Sequence, residues 1–169
     1  EGAHDAGALE RALADLLERH EVLRTGVDAS GEAPRVFPTG LVRLGPAEDL
    51  SALPIAERLD AARRRALALA RTPFALREGP PARVALLRIG AQRHRLVLVA
   101  HHVAFDGPSI GLALGELAAL YRHHALGAPA PAPLPCRYAD AVAHLEASTQ
   151  ARESALLEAW AARLAGAPL

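Results

Sequence analysis

A chain of 169 residues, 51% of them hydrophobic, can bury a core and is too apolar for a disordered tail. Its 19 basic and 19 acidic residues sum to zero formal charge, so no electrostatic footprint favours nucleic acid or an anionic membrane surface. The apolar runs, such as Leu96 to Ala100, are far short of the ~20 residues that span a bilayer, no basic-then-apolar leader opens the sequence, and a lone Cys136 cannot close an internal disulfide. These features read as a soluble protein of the reducing cytoplasm.

Between Ala8 and His20, Leu9, Leu13, Leu16 and Leu17 recur at helical spacing and predict an amphipathic helix. Val22 to Val27 and Pro34 to Phe37, interrupted by Ser30-Gly31, predict two short strands around a turn, and Leu41 to Leu44 a third. Pro54 opens a predicted helix striped by Ile55, Leu59, Ala62, Ala66 and Leu69, with Arg63, Arg64 and Arg65 on its solvated side. After the turn-rich stretch from Thr72 to Pro81, the runs Ala82 to Ile89 and Arg95 to Val103 flank Gly90-Ala91-Gln92-Arg93 as a hairpin. The second run is apolar on both faces, which places it inside the sheet. Ile110, Leu114, Leu117 and Tyr121 mark another helix, Gly127 to Pro135 an Ala/Pro-rich connector, and Tyr138 to Leu164 one long helix or two. Irregular alternation of strands and helices predicts an α+β (α/β layered) fold, a mixed sheet covered by helices.

The chemistry-bearing stretch is His101-His102-Val103-Ala104-Phe105-Asp106-Gly107, where an apolar strand ends and a helix soon begins. Alternation along a strand would point His101 and His102 to opposite faces, so one serves a site and the other the structure. A neutral imidazole suits a general base that takes a proton from an attacking amine or alcohol. Asp106 could orient an imidazole or bind an arginine that stiffens the loop, and Gly107 permits an unusual backbone angle or a close approach. Packing and capping are the competing roles for such a histidine pair. A metal site is disfavoured, because oppositely facing neighbours chelate one ion poorly and no third ligand has suitable spacing. Gly107-Pro108-Ser109-Ile110-Gly111 matches the G-x-S-x-G pattern of hydrolases, but Pro108 and the residues between strand and serine do not suit a nucleophile elbow. Ser109 reads instead as a helix N-cap. His123 and His124 read as exposed.

The stretch from His101 to Gly107 resembles the HHxxxDG motif of the acyltransferase superfamily that includes chloramphenicol acetyltransferase and the condensation domains of nonribosomal peptide synthetases. Arg19-His20-Glu21-Val22-Leu23-Arg24-Thr25 is similar to the condensation-domain RHExLRT motif, and Thr72 to Pro80 to its PFDLxxGP stretch, with Ala75 in place of the acid. Tyr138-Ala139-Asp140 and Trp160 to Pro168 resemble the family's PxxYxDY and WxxxLxGxP stretches.

The resemblance implies a chloramphenicol acetyltransferase-like lobe, with residues 1–169 as the N-terminal lobe of a condensation domain, lacking the family's opening strand and its C-terminal lobe. It implies that His102 is the catalytic position, that Asp106 stabilises the loop, that Gly107 lies at the reaction centre, and that His101, Arg19 and Arg24 support the site. The implied reaction is amide formation in antibiotic or siderophore biosynthesis, between an acyl or peptidyl thioester donor and an aminoacyl acceptor. Both would be carried on the phosphopantetheine of carrier proteins, with no cofactor or metal bound by the lobe itself. The implied partners are donor and acceptor peptidyl carrier proteins and the C-terminal lobe, not nucleic acid or membrane. An epimerization domain of the same superfamily and a non-catalytic scaffold recruiting carrier protein or a tailoring enzyme are the alternatives; the Tyr138-Ala139-Asp140 stretch leans toward condensation.

Overall fold

The computed structural model describes residues 5–167. Contacts divide the chain between Pro133 and Leu134 into two units. In the first, helix α1 spans Ala6–Arg19 and starts where the Asp5 carboxylate accepts the Ala8 N–H at 2.9 Å. Its leucine stripe is buried, with Leu16 and Leu17 at 1% and 2% exposure. Each such side chain contributes roughly 1.5–3 kcal/mol through burial.

The segment after α1 departs from the strand expected over Val22–Val27. Glu21–Arg24 forms one 3-10 turn, which delivers Leu23 to the core, and only Thr25–Val27 extends as strand β1. β1 pairs antiparallel with β2, Pro34–Val36. No strand forms over Leu41–Leu44. Thr39–Leu41 is a short 3-10 turn, and Val42 and Leu44 are each 7% exposed. The apolar alternation there reports one-sided burial without a ladder partner.

The second sheet is mixed, in order β3-β4-β5. β4 is Ala82–Gly90 and β5 is Arg93–Ala100, the antiparallel hairpin expected from the sequence; β3, Glu48–Asp49, runs parallel to β4. β3 is two acidic residues, invisible to hydropathy. Helix α2 covers Arg58–Arg71; Pro54 initiates a turn before it, its carbonyl accepting the Glu57 N–H, and is not itself helical. Helix α3 spans Gly107–Leu126 and stops at Gly127, whose φ of 69° is open to a residue without Cβ. His123 and His124 are part-buried at this end, with His124 Nε2 2.7 Å from Asp15 Oδ2 on α1.

The sheet is sandwiched as its pleat dictates. Ala82 and Leu86 join α1 and α3 in one cluster, while Leu87 and Ile89 meet Ala62 of α2 in another. β5 is an edge strand among the described residues, not an interior one. Its residues are apolar on both faces because helices lie on both, Leu96 packing against the α1/α3 cluster and Val97 against the α2 cluster. The second unit holds two helices, α4 over Tyr138–Gln150 and α5 over Glu153–Leu164. The Arg137 N–H donates to Asp140 Oδ2 at 3.1 Å at the start of α4, a capping role for Asp140.

Candidate functional site

Strand β5 ends at Ala100, so both histidines lie beyond it, in a turn closed by the Ala104 N–H donating to the His101 carbonyl at 3.0 Å. The pleat argument therefore does not apply to them. The turn separates them instead. His101 is anchored: its N–H donates to the Pro81 carbonyl at 2.8 Å, its Nδ1 accepts the Val103 N–H at 3.1 Å, and its ring meets Phe74 edge-on at 6.0 Å. An Nδ1 that accepts leaves the ring proton on Nε2. His102 is directed to a hollow of about 550 Å³ that it shares with Asp106 and Gly107. The hollow runs past the β5 edge, with Leu98 and Ala100 on that side, Ala70 of α2 nearby, and Ile110 and Leu114 of α3 opposite. Ile110 and Leu114 are 52% and 51% exposed. A second hollow of about 540 Å³ between α2 and β5 contains no residue of the histidine stretch.

Asp106 does not meet Arg19 or Arg24, contrary to the arginine pairing weighed from the sequence. It is the N-cap of α3: Oδ1 accepts the Ser109 N–H at 3.0 Å and the Ser109 hydroxyl, and the Asp106 N–H reaches Ser109 Oγ at 3.4 Å. The Ser109 hydroxyl, then its N–H, hold the Asp106 carboxyl below the usual aspartate range, with a smaller contribution from the nearby His102. Ser109 is thus the third residue of a capping box and not the N-cap expected of it. Its hydroxyl is committed to Asp106, and it sits in a helical turn rather than a strained elbow. Pro108 in the first turn loses nothing, since an N–H there has no helical acceptor.

Gly107 has no positive φ, and a Cβ built on it would meet nothing within 4 Å. The backbone-angle reason for a glycine falls away, and room for an approaching ligand remains.

The two arginines act at a distance from the imidazole of His102. Arg19 Nε donates to Glu116 Oε2 of α3 at 3.0 Å, and His20 Nε2 lies 2.5 Å from the same oxygen. Burial pushes the Glu116 carboxyl up, but the hydrogen bond and charge of His20, and then those of Arg19, outweigh it and hold it below the ordinary glutamate range. Arg24 donates through Nε to the Leu17 carbonyl at 3.0 Å and through Nη1 to the Phe37 carbonyl at 2.9 Å, stapling the end of α1 to the residue after β2. Arg19 therefore steadies α3, whose N-terminus carries Asp106 and Gly107. Glu116 and a role for His20 were missed by sequence reasoning. The signal available was that Glu116 is the one charged residue between Gly107 and Tyr121.

A family model described as Condensation domain matches residues 1–168. The chain belongs to the condensation-domain family. The phosphinothricin tripeptide synthetase PhsB of Streptomyces viridochromogenes is 41% identical over 171 residues, covering 99% of this condensation domain's chain and 14% of PhsB. Solved structures are similar to this chain as well. SgcC5 of Streptomyces globisporus superposes with a TM-score of 0.78 at 30% identity, over 99% of this chain and 38% of its own. The X-domain of teicoplanin biosynthesis, solved in complex with OxyB, does so with a TM-score of 0.80 at 28% identity, over 99% of this chain and 37% of its own. The chain thus spans well under half of either solved relative.

Proposed function

We propose that this condensation domain forms an amide bond between an acyl or peptidyl donor, held as a thioester on the phosphopantetheine of one peptidyl carrier protein, and the α-amine of an aminoacyl acceptor on another. The observation that carries the reading is His102 at the rim of an apolar hollow with Gly107, where nothing stands within 4 Å of a built Cβ. The amine nitrogen attacks the thioester carbonyl, the C–N bond forms, the C–S bond breaks, and the phosphopantetheine thiol leaves. His102 takes the amine proton and returns it to the leaving thiolate, or orients the amine for attack while that proton passes to the thiolate. Asp106 and Gly107 shape the floor of the site; His101, Arg19 and Arg24 hold it in place.

On this reading the chain supplies the N-terminal lobe, and a C-terminal lobe of the same domain completes the alignment of donor and acceptor that makes a thioester and an amine react quickly. The setting is the cytoplasm. Among the described residues no helix is long and apolar enough to cross a membrane.

The test is His102→Ala in the full-length synthetase, with loaded donor and acceptor carrier proteins and amide product followed by mass spectrometry. A general base contributes about 10²- to 10⁴-fold, and a smaller loss marks positioning. Undiminished amide formation overturns the catalytic assignment. The similarity to the X-domain, solved in complex with OxyB, favours a second reading as a recruitment scaffold without turnover. That reading requires that the wild-type domain yield no amide with any loaded pair.

A further inference from the structure

The stretch from Thr72 to Pro80 travels with the histidine motif in the sequence, yet none of its residues lines the hollow at His102. Its purpose is legible in what Phe74 touches. The Phe74 ring meets the His101 ring edge-on at 83°, centroids 6.0 Å apart, and the guanidinium of Arg83 lies over the same Phe74 ring at 3.9 Å. Arg83 is held in turn. Its Nη1 donates to the carbonyls of Leu69 and Thr72 at 3.2 and 2.8 Å, and its Nη2 to that of Pro73 at 2.9 Å. One side chain of β4 therefore gathers the last turn of α2 and the start of the loop, and presses Phe74 toward His101.

We infer that Phe74 and Arg83 are positioning residues for His102, acting through His101. A guanidinium so placed has few rotamers left, because a planar fork bound to three carbonyls and stacked on an aromatic face fixes its orientation. The Phe74 ring, set perpendicular to it, then restricts the imidazole of His101. That imidazole offers Nδ1 to the Val103 N–H, and this bond spans the residue between them, His102. Releasing Phe74 frees the His101 ring to rotate, breaks the bond to Val103, and lets the His102 backbone wander. The far end of the loop is pinned as well, since the Leu76 carbonyl accepts the Val27 N–H of β1 at 2.9 Å. The RHExLRT-like stretch, the PFxLxxGP-like stretch and the histidine turn are thereby one mechanical chain. Lysine at 83 could not replace the fork, and an aliphatic residue at 74 could not replace the ring.

This inference rests on His102 as the reacting centre, so its test carries one readout of activity and one that does not depend on it. In the full-length synthetase, Phe74→Leu, Arg83→Lys and Phe74→Tyr are compared with wild type. Amide formation is measured at varied concentrations of loaded acceptor carrier protein, and hydrogen–deuterium exchange is followed over the peptide containing residues 101–106. An ångström of misplacement can cost on the order of 100-fold in rate. Phe74→Leu and Arg83→Lys should lower kcat roughly 10- to 100-fold with KM changed less than about threefold. Both should speed exchange at residues 102–104, and Phe74→Tyr, which keeps the aromatic ring, should restore kcat and protection together. Wild-type exchange and kcat in both disruptive variants overturn the inference, as does a loss of kcat that tracks the melting temperature while exchange at residues 102–104 is unchanged. If wild type itself forms no amide, the proposed function fails while the exchange comparison still decides whether Phe74 and Arg83 order the turn.

Discussion

Replacing Gly26 with alanine should unseat the loop that braces the histidine turn. Gly26 lies in β1 with an ordinary negative-φ backbone, so the effect is steric and not conformational. A Cβ there would stand 2.2 Å from the Leu76 carbonyl oxygen, 2.8 Å from Cε2 of Phe37 and 3.2 Å from the Gly79 carbonyl oxygen. Carbon and carbonyl oxygen come no closer than about 3.3 Å, so the Leu76 carbonyl must retreat by about 1 Å. That oxygen is the acceptor for the Val27 N–H at 2.9 Å, which the same movement stretches beyond bonding range. Overpacking costs about 1–3 kcal/mol and the weakened hydrogen bond about 0.5–1.5 kcal/mol, against about 0.4–1 kcal/mol recovered from the stiffer unfolded chain. The net is roughly 2–3 kcal/mol, or a melting temperature lower by roughly 4–12 °C for a domain of this size. The assay is thermal unfolding of Gly26→Ala beside Gly79→Ala, whose added Cβ meets nothing within 4 Å and which should melt at or slightly above wild type, since it keeps the unfolded-chain gain without the clash. A Gly26→Ala protein melting within a degree of wild type would refute the steric reasoning.

Gly107→Ala should melt no lower than wild type, since its Cβ points into open space, yet lower amide formation by occupying room that a substrate needs; unchanged turnover removes Gly107 from the proposed reaction centre. Asp106→Asn should keep most activity, because an asparagine oxygen still caps α3, whereas Asp106→Ala should lower both activity and melting. An inactive Asn variant with normal melting would give the carboxylate a direct part in the chemistry. Glu116→Gln should cost about 1 kcal/mol near neutral pH, a modest figure because the Arg19 and His20 contacts are only partly shielded from water. The folded-state pKa of Glu116 is lowered, so its contribution is fully present above the ordinary glutamate value of 4.5 and is lost as pH falls through the lower folded value. Denaturant titrations of wild type and Glu116→Gln should therefore converge only at acid pH, and a gap that persists there contradicts the ion-pair account.

Helical periodicity alone placed α1 and its buried stripe, because a one-sided burial pattern repeats every 3.6 residues wherever a helix lies on a core. It found α3 as a helix but not its buried face, which is Ala113, Leu117 and Leu120, while Ile110 and Leu114 of the expected stripe are exposed on the hollow. The β4–β5 hairpin was equally plain, two apolar runs around a short polar turn. The spacing from His101 to Gly107, together with the Arg19–Thr25 and Thr72–Pro80 stretches, carried the family. Local pattern did not reveal that Glu48–Asp49 forms a strand, since its pairing comes from Leu87 and Arg88 far along the chain. Nor did it reveal that β5 is an edge, which depends on what lies beside it. The partners of charged groups were the largest error. An imidazole and an arginine were the candidate partners of Asp106, but the helix start three residues away offered Ser109 first, and Arg19 found Glu116, 97 residues along the chain. Residue types and short spacings are properties of the chain itself. Which carboxylate meets which guanidinium, and which ring packs on His101, depends on distances between segments that only folding brings together.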